Sequence, residues 1–174
     1  MSGSHARSSD FQPALVLQPA PELQVSDWLN VDAPVRLADL LGRVVVLHAF
    51  QMLCPGCVSH GIPQALRIRA LFEEKEVAVI GLHTVFEHHA VMTPAALRVF
   101  SHEYRLRFPI GIDRAMPGRD IPQTMQALAL RGTPSLVVID RSGCIRLNHF
   151  GQAEDMAVGA LIGRLVAESS PGRN

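Results

Sequence analysis

The feature that most constrains this chain is the run Val44-Val45-Val46-Leu47-His48-Ala49-Phe50, followed after three residues by Cys54-Pro55-Gly56-Cys57. A strand with one wet face alternates apolar and polar residues, whereas a continuous β-branched run marks a strand covered on both sides, as in the centre of a parallel sheet. From Val58 onward the apolar positions Ile62, Ala65, Leu66, Leu71 and Phe72 recur at helical spacing. The cysteine pair is therefore expected at a strand-to-helix junction, with Cys54 at the mouth of the helix. Pro63 lies inside that helix and is expected to kink or break it locally.

The rest of the chain reads as further alternation. Leu23, Val25 and Trp28 suggest a short strand over Glu22 to Trp28, and Leu37 to Leu41 form a small element closed by Gly42. Val77 to Leu82 repeats the buried-strand pattern. Thr93-Pro94 predicts a helix start, with Thr93 as N-cap and Pro94 at the first helical position, and Leu97, Phe100 and Tyr104 as its inward stripe. Phe108 to Ile112 reads as a strand, Met125 to Leu130 as a short helix, and Leu136 to Ile139 as another buried strand. Asp140-Arg141-Ser142-Gly143 supports a hairpin into Cys144 to Phe150, and a last helix runs from about Glu154 with Val158, Leu161, Ile162, Leu165 and Val166 on one face. The expected class is α/β: a mainly parallel sheet with antiparallel strands at one side and helices over both faces.

With 174 residues, 48% of them hydrophobic, one compact core is expected. Residues 21–168 are read as that domain, between an N-terminal tail (1–20) and a C-terminal tail (169–174) expected to fray. The 16 basic and 16 acidic side chains balance, with no block of like charge, which removes support for nucleic acid or an anionic membrane as partner. No apolar run near the start reaches the length of a leader core or a membrane span. Cytoplasmic localisation is the default expectation, and a periplasmic one applies if an export signal preceding Met1-Ser2-Gly3-Ser4-His5 has been removed.

Three cysteines are too few for a disulfide scaffold, and two of them share a Cys-x-x-Cys spacing. That spacing serves zinc as readily as redox chemistry, but no second Cys-x-x-Cys or His-x₃-His completes a tetrahedral set. A helix N-terminus carries unsatisfied N–H groups and the positive end of the dipole, both of which favour a thiolate. Cys54 is thus the expected nucleophile and Cys57, one turn further in, the resolving thiol. No cofactor and no metal site are expected. The partners expected are a protein or small-molecule thiol or disulfide substrate and a redox partner that donates or accepts electrons.

These motifs, together with Leu37-Ala38-Asp39-Leu40-Leu41-Gly42-Arg43, Gly132-Thr133-Pro134 and Ile139-Asp140-Arg141-Ser142-Gly143, resemble the thioredoxin superfamily, in particular its TlpA-like and redoxin (AhpC/TSA-related) branch. The resemblance covers about Pro21 to Ala167. It implies a thioredoxin-like fold, a mixed central sheet with helices on both faces, and an inserted helix and strand between His83 and Ile112. It implies thiol-disulfide oxidoreductase activity at Cys54 and Cys57. It also implies that Pro134 is cis and faces the cysteines, and that the backbone at Thr133 pairs with the substrate chain. The chain departs from thioredoxins in three places: Leu53 stands where they carry an aromatic residue, His48 where they usually bury an Asp, and Pro63 one residue later than their helix proline.

Other candidates carry two readings each. His48 is a core imidazole or a proton acceptor for Cys57. Glu87 is a solvated loop carboxylate or, as TlpA-like proteins place an acid there, a group that tunes the cysteines. His83, His88 and His89 form a local cluster of a metal-binding residue type without a well-spaced further ligand. Cys144 is expected to pack as a small hydrophobe. Two alternative functions remain: a thiol peroxidase of peroxiredoxin type, although Gln51 and Leu47 stand where its hydroxyl and proline belong, and a non-enzymatic metal-binding module.

Overall fold

A computed structural model describes residues 17–168. Seven strands form one sheet: β1 (Gln18–Pro19), β2 (Val25–Leu29), β3 (Val44–Phe50), β4 (Val77–His83), β5 (Ile110–Asp113), β6 (Ser135–Ile139) and β7 (Cys144–Phe150). Their order is β1-β7-β6-β3-β4-β5-β2. Only β3, β4 and β5 run parallel; β6, β7 and β1 are antiparallel on one side and β2 is antiparallel on the other. The sheet is therefore mixed rather than mainly parallel, and its antiparallel strands lie on both flanks. The β6-β7 hairpin needs no covering crossover helix, which is why that edge takes the antiparallel pairing.

Every residue of β3 is buried, as its unbroken pattern requires, because helices cover both faces. On one face Val44, Val46 and Phe50 pack with Ile62, Ala65 and Ile68 of α1 (Ile62–Leu71), Leu97 of α2 (Pro94–Glu103) and the Val158, Leu161, Ile162 and Leu165 stripe of α4 (Asp155–Ala167). On the other, Val45, Leu47 and Ala49 meet Met125 and Leu128, at and beyond α3 (Gln123–Ala127), and Leu37 and Leu40 of a 3₁₀ turn (Leu37–Leu40). Each such large side chain removed from water contributes about 1.5–3 kcal/mol.

Thr93 caps α2 by accepting the Ala96 N–H, with Pro94 first in the helix. Glu154 caps α4 by accepting the Ala157 N–H. Tyr104, expected inward, stands at the C-terminal cap of α2 with 43% exposure, its ring stacked on Phe100 at 4.3 Å. Cys144 is half-buried in β7 rather than packed as a core hydrophobe, because it lies opposite Pro19 where β1 only partly covers the edge. That pairing also brings Gln18–Pro19 into the sheet from the segment expected to be an N-terminal tail. The remainder of that tail, and the tail from 169 to 174, lie outside the described residues.

The break expected at Pro63 takes a specific form. Cys57–Gly61 is a π-helical turn in which the Ile62 N–H reaches back to the Cys57 carbonyl, and α1 continues from it. A π turn widens the helix by one residue and occurs frequently at functional sites.

Candidate active site

Cys54 sits between the end of β3 and the first helical turn, with Pro55 opening that turn and the Val58 N–H closing on the Cys54 carbonyl at 3.1 Å. The Cys57 N–H donates to Cys54 Sγ at 3.3 Å, so a free amide of the helix end points at this sulfur. The Cys54 thiol in turn lies 3.5 Å from the Thr133 carbonyl. Cys54 is half-buried and Cys57 is fully buried, and neither is engaged in a disulfide.

Burial pushes the Cys57 thiol up to about 12, and its hydrogen bond with the Cys54 side chain adds to this. Polar groups beside it, the Gln51 main chain and the Thr133 side chain, oppose that rise. The two thiols therefore differ sharply: one is accessible at the helix mouth, the other is dry and keeps its proton until something stabilises its anion.

The Thr133-Pro134 peptide bond is cis. It brings Pro134 against Gly56, where an added Cβ would stand 3.2 Å from the proline Cδ. Ser135 Oγ donates to the Gly132 carbonyl at 2.7 Å and the Gly151 N–H to the Pro134 carbonyl at 2.8 Å, which pins this turn to β6 and β7. Structure thus brings together Cys54, Cys57, Thr133 and Pro134, four residues that the sequence singled out.

Glu87 is exposed in the loop after β4, and reaches the site only through Gln51, whose Nε2 donates to Glu87 Oε1 at 3.3 Å. Sequence reasoning missed Gln51 as part of the site. The available signal was an amide directly following a seven-residue buried run, three positions before a reactive cysteine. His48 lies on the α1 face of β3, stacked with Phe50 at 6.0 Å. Its imidazole occupies the space where a Cβ on Gly61 would fall 2.2 Å from Cε1, so only glycine in the π turn leaves room for it. Burial, with a smaller contribution from the charge of His60, lowers its pKa to about 4, and its Nε2 has no hydrogen-bond partner.

His83 is buried in β4, beside Phe50 at 5.3 Å, while His88 and His89 are exposed in the following loop. The three imidazoles therefore do not converge. Among the described residues no group of three or more His, Cys, Asp or Glu side chains is placed to hold a metal ion. No helix among them is long and apolar enough to cross a membrane.

Two solved structures share this architecture over nearly their whole length. A thioredoxin-like superfamily protein is 53% identical with a TM-score of 0.86, covering 88% of this chain and 99% of that one. A thiol-disulfide isomerase from Corynebacterium glutamicum is 50% identical with a TM-score of 0.83, covering 87% and 97%. Fold and cysteine pair together define a redoxin of the thioredoxin superfamily, in the thiol-disulfide oxidoreductase group. Residues 16–148 match the AhpC/TSA family model, and the chain belongs to that family. Protein DipZ of Mycobacterium bovis and of Mycobacterium tuberculosis is 26% identical over 156 residues, 88% of this chain but 21% of theirs. The chain thus spans about a fifth of the length of the curated relatives it matches.

Proposed function

We propose that this protein exchanges dithiols and disulfides with protein or small-molecule thiol substrates, with Cys54 as nucleophile and Cys57 as resolving thiol. The observation that carries the reading is the asymmetry of the pair: the Cys57 amide points at a half-buried Cys54 sulfur while the Cys57 thiol is dry. As thiolate, Cys54 attacks one sulfur of a substrate disulfide, forming a mixed disulfide and expelling the other sulfur as thiolate. Cys57 then attacks Cys54, closing the intramolecular disulfide and releasing the second substrate sulfur. A redox partner that donates electrons returns the pair to dithiol. Run in reverse, the same steps oxidise a substrate dithiol.

The half-buried Thr133, whose carbonyl lies 3.5 Å from the Cys54 sulfur, suits an extended substrate chain, with the cis-proline behind it as a backstop. The test is the equilibrium of the pair against glutathione, with an insulin-reduction assay and a Cys54→Ser control. A reversible two-electron couple that vanishes in the control is expected. If no intramolecular disulfide forms at any glutathione ratio, the exchange reading is overturned. The AhpC/TSA match favours a second reading, peroxide reduction by Cys54; rapid consumption of hydrogen peroxide by the reduced protein, lost in Cys54→Ser, would establish it.

A further inference from the structure

A cavity of about 690 Å³ lies between the end of β2, the last turns of α2 and the segment that leads into β5. Leu29 pairs with Ile110, the first residue of β5, so this cavity stands at the amino end of the parallel strands. Cys54 stands at their carboxyl end, after β3. Volumes of roughly 300–1,000 Å³ are those of small-molecule sites. The buried side chains of Leu29 and Leu106 give the cavity an apolar floor, and Arg98, His102, Arg105 and Arg107 give it an exposed rim.

The frame behind that rim is held by hydrogen bonds. Asn30 Nδ2 shares its protons among the Leu106 carbonyl at 2.8 Å, the Phe108 carbonyl at 3.0 Å and the buried Ser101 Oγ at 3.3 Å, which ties the end of β2 to the segment after α2. The helix itself closes with the Arg105 N–H on the His102 carbonyl at 3.1 Å and the Leu106 N–H on the Ser101 carbonyl at 2.9 Å. This ending places the residue after the cap in the left-handed region, where glycine is preferred. Here that residue is Arg105, at φ 52°. The chain keeps an arginine where its backbone favours glycine.

Arg98 is paired with Asp27 at 2.9 Å, and His102 is hydrogen-bonded to Glu103 at 3.3 Å. Arg105 and Arg107 have no carboxylate partner among the described residues. Leu106 turns inward between them, and both guanidiniums line the same cavity, two unbalanced charges in a protein of zero formal net charge. Cations suit the negative end of a helix dipole, but the Ser101 and His102 carbonyls are already occupied and Arg107 lies beyond the helix. A guanidinium presents a planar fork that meets phosphate oxygens two at a time, and a phosphate monoester carries nearly two negative charges at pH 7. We propose that this cavity binds a phosphate group, held by Arg105 and Arg107, with any apolar body of the ligand against Leu29 and Leu106.

Titration calorimetry of the full chain with inorganic phosphate and with phenyl phosphate, at a fixed ionic strength of about 0.15 M, tests this. One equivalent binds the wild-type protein. Arg107→Ala weakens binding about tenfold and Arg105→Gly does the same, the scale of one lost hydrogen bond to a charged group. Arg105→Gly relieves the left-handed backbone, so its unfolding temperature stays at or above that of the wild type and its loss of binding is not a loss of fold. Arg107→Lys keeps the charge without the fork and recovers only part of the affinity. Tighter binding of phenyl phosphate marks an ester as the ligand and equal binding marks the free anion; both uphold the site. Cys54→Ser binds as the wild type does, which keeps the result separate from the exchange chemistry. The proposal is overturned if neither phosphate binds, if succinate binds as tightly as phenyl phosphate, or if Arg105→Gly and Arg107→Ala both keep the wild-type affinity.

Discussion

The two ends of β3 lie in the same sheet and obey different rules. Over Val44 to Leu47 the strand is entirely apolar and runs between equally apolar neighbours, Val77 to Ile80 in β4 and Val137 to Ile139 in β6. From His48 onward the buried surroundings turn polar: Gln51 after β3, His83 and Thr84 at the end of β4, Asp113 at the end of β5 and Ser135 at the start of β6. Most of these groups are paired, since an unpaired buried polar atom is costly. Thr84 Oγ1 donates to Asp113 Oδ2 at 2.9 Å, and the Thr124 and Met125 N–H groups reach the same carboxylate. The imidazoles are the exception, each with an unpartnered Nε2. Stability is concentrated at one end and chemistry at the other, where parallel strands present their carboxyl ends.

Substitutions can break that division, and the largest effect belongs to the apolar end. Leu47→Ala removes a fully buried side chain and lowers stability by about 2–5 kcal/mol in denaturant unfolding, while the folded fraction keeps both steps of thiol exchange. Loss of stability specific to Leu47 together with an altered resolving step would show that the two ends are not separable.

Acid should strike the reactive end next. Burial lowers His48 and His83 from 6.5 to about 4, so the unfolded chain takes up protons first as the pH falls. Stability from these groups is full above pH 6.5 and is lost between about 6.5 and 4, by roughly 3 kcal/mol per imidazole. Unfolding measured at pH 7 and pH 4.5 checks this, and His48→Leu should remove about half of the loss. His48→Asn separates the two roles of this residue: a slower resolving step with unchanged acid stability would make it the proton acceptor of Cys57 rather than a core group.

Gly61→Ala places a methyl group against the His48 ring and should cost about 1–3 kcal/mol, with Cys54 alkylation by iodoacetamide preserved if the strain stays below the first turn. The smallest effect belongs to the half-exposed Arg67–Asp155 pair at 2.8 Å, outside both ends. Arg67→Ala should change the unfolding free energy by less than about 1 kcal/mol and leave the exchange kinetics untouched.

How much of this was legible in the sequence follows the same division. β3, β4, the Thr93 cap, the start of the last helix near Glu154 and the α4 stripe all read correctly, because burial and capping write periodic or local patterns. The cysteine pair and Pro134 were legible as motifs. Gln51 was not: an amide after an apolar run has no periodicity of its own, and its partners Phe86, Glu87 and Thr133 are 35 or more residues away. The short strand at Gln18–Pro19 was equally hidden, since two residues carry no alternation and only β7 gives them a reason to extend. Tyr104 misled because its helical spacing is right but the helix ends there.

The π turn settles why Pro63 arrives one residue late. Thioredoxin-like helices keep the cysteine pair and the helix proline at a set separation, and here the separation is one longer. The wide turn absorbs the surplus residue, so the body of α1 keeps its seat on the sheet while Cys54 and Cys57 keep theirs at its tip. It behaves as a slip joint: sequence length can change on one side of it without turning the other.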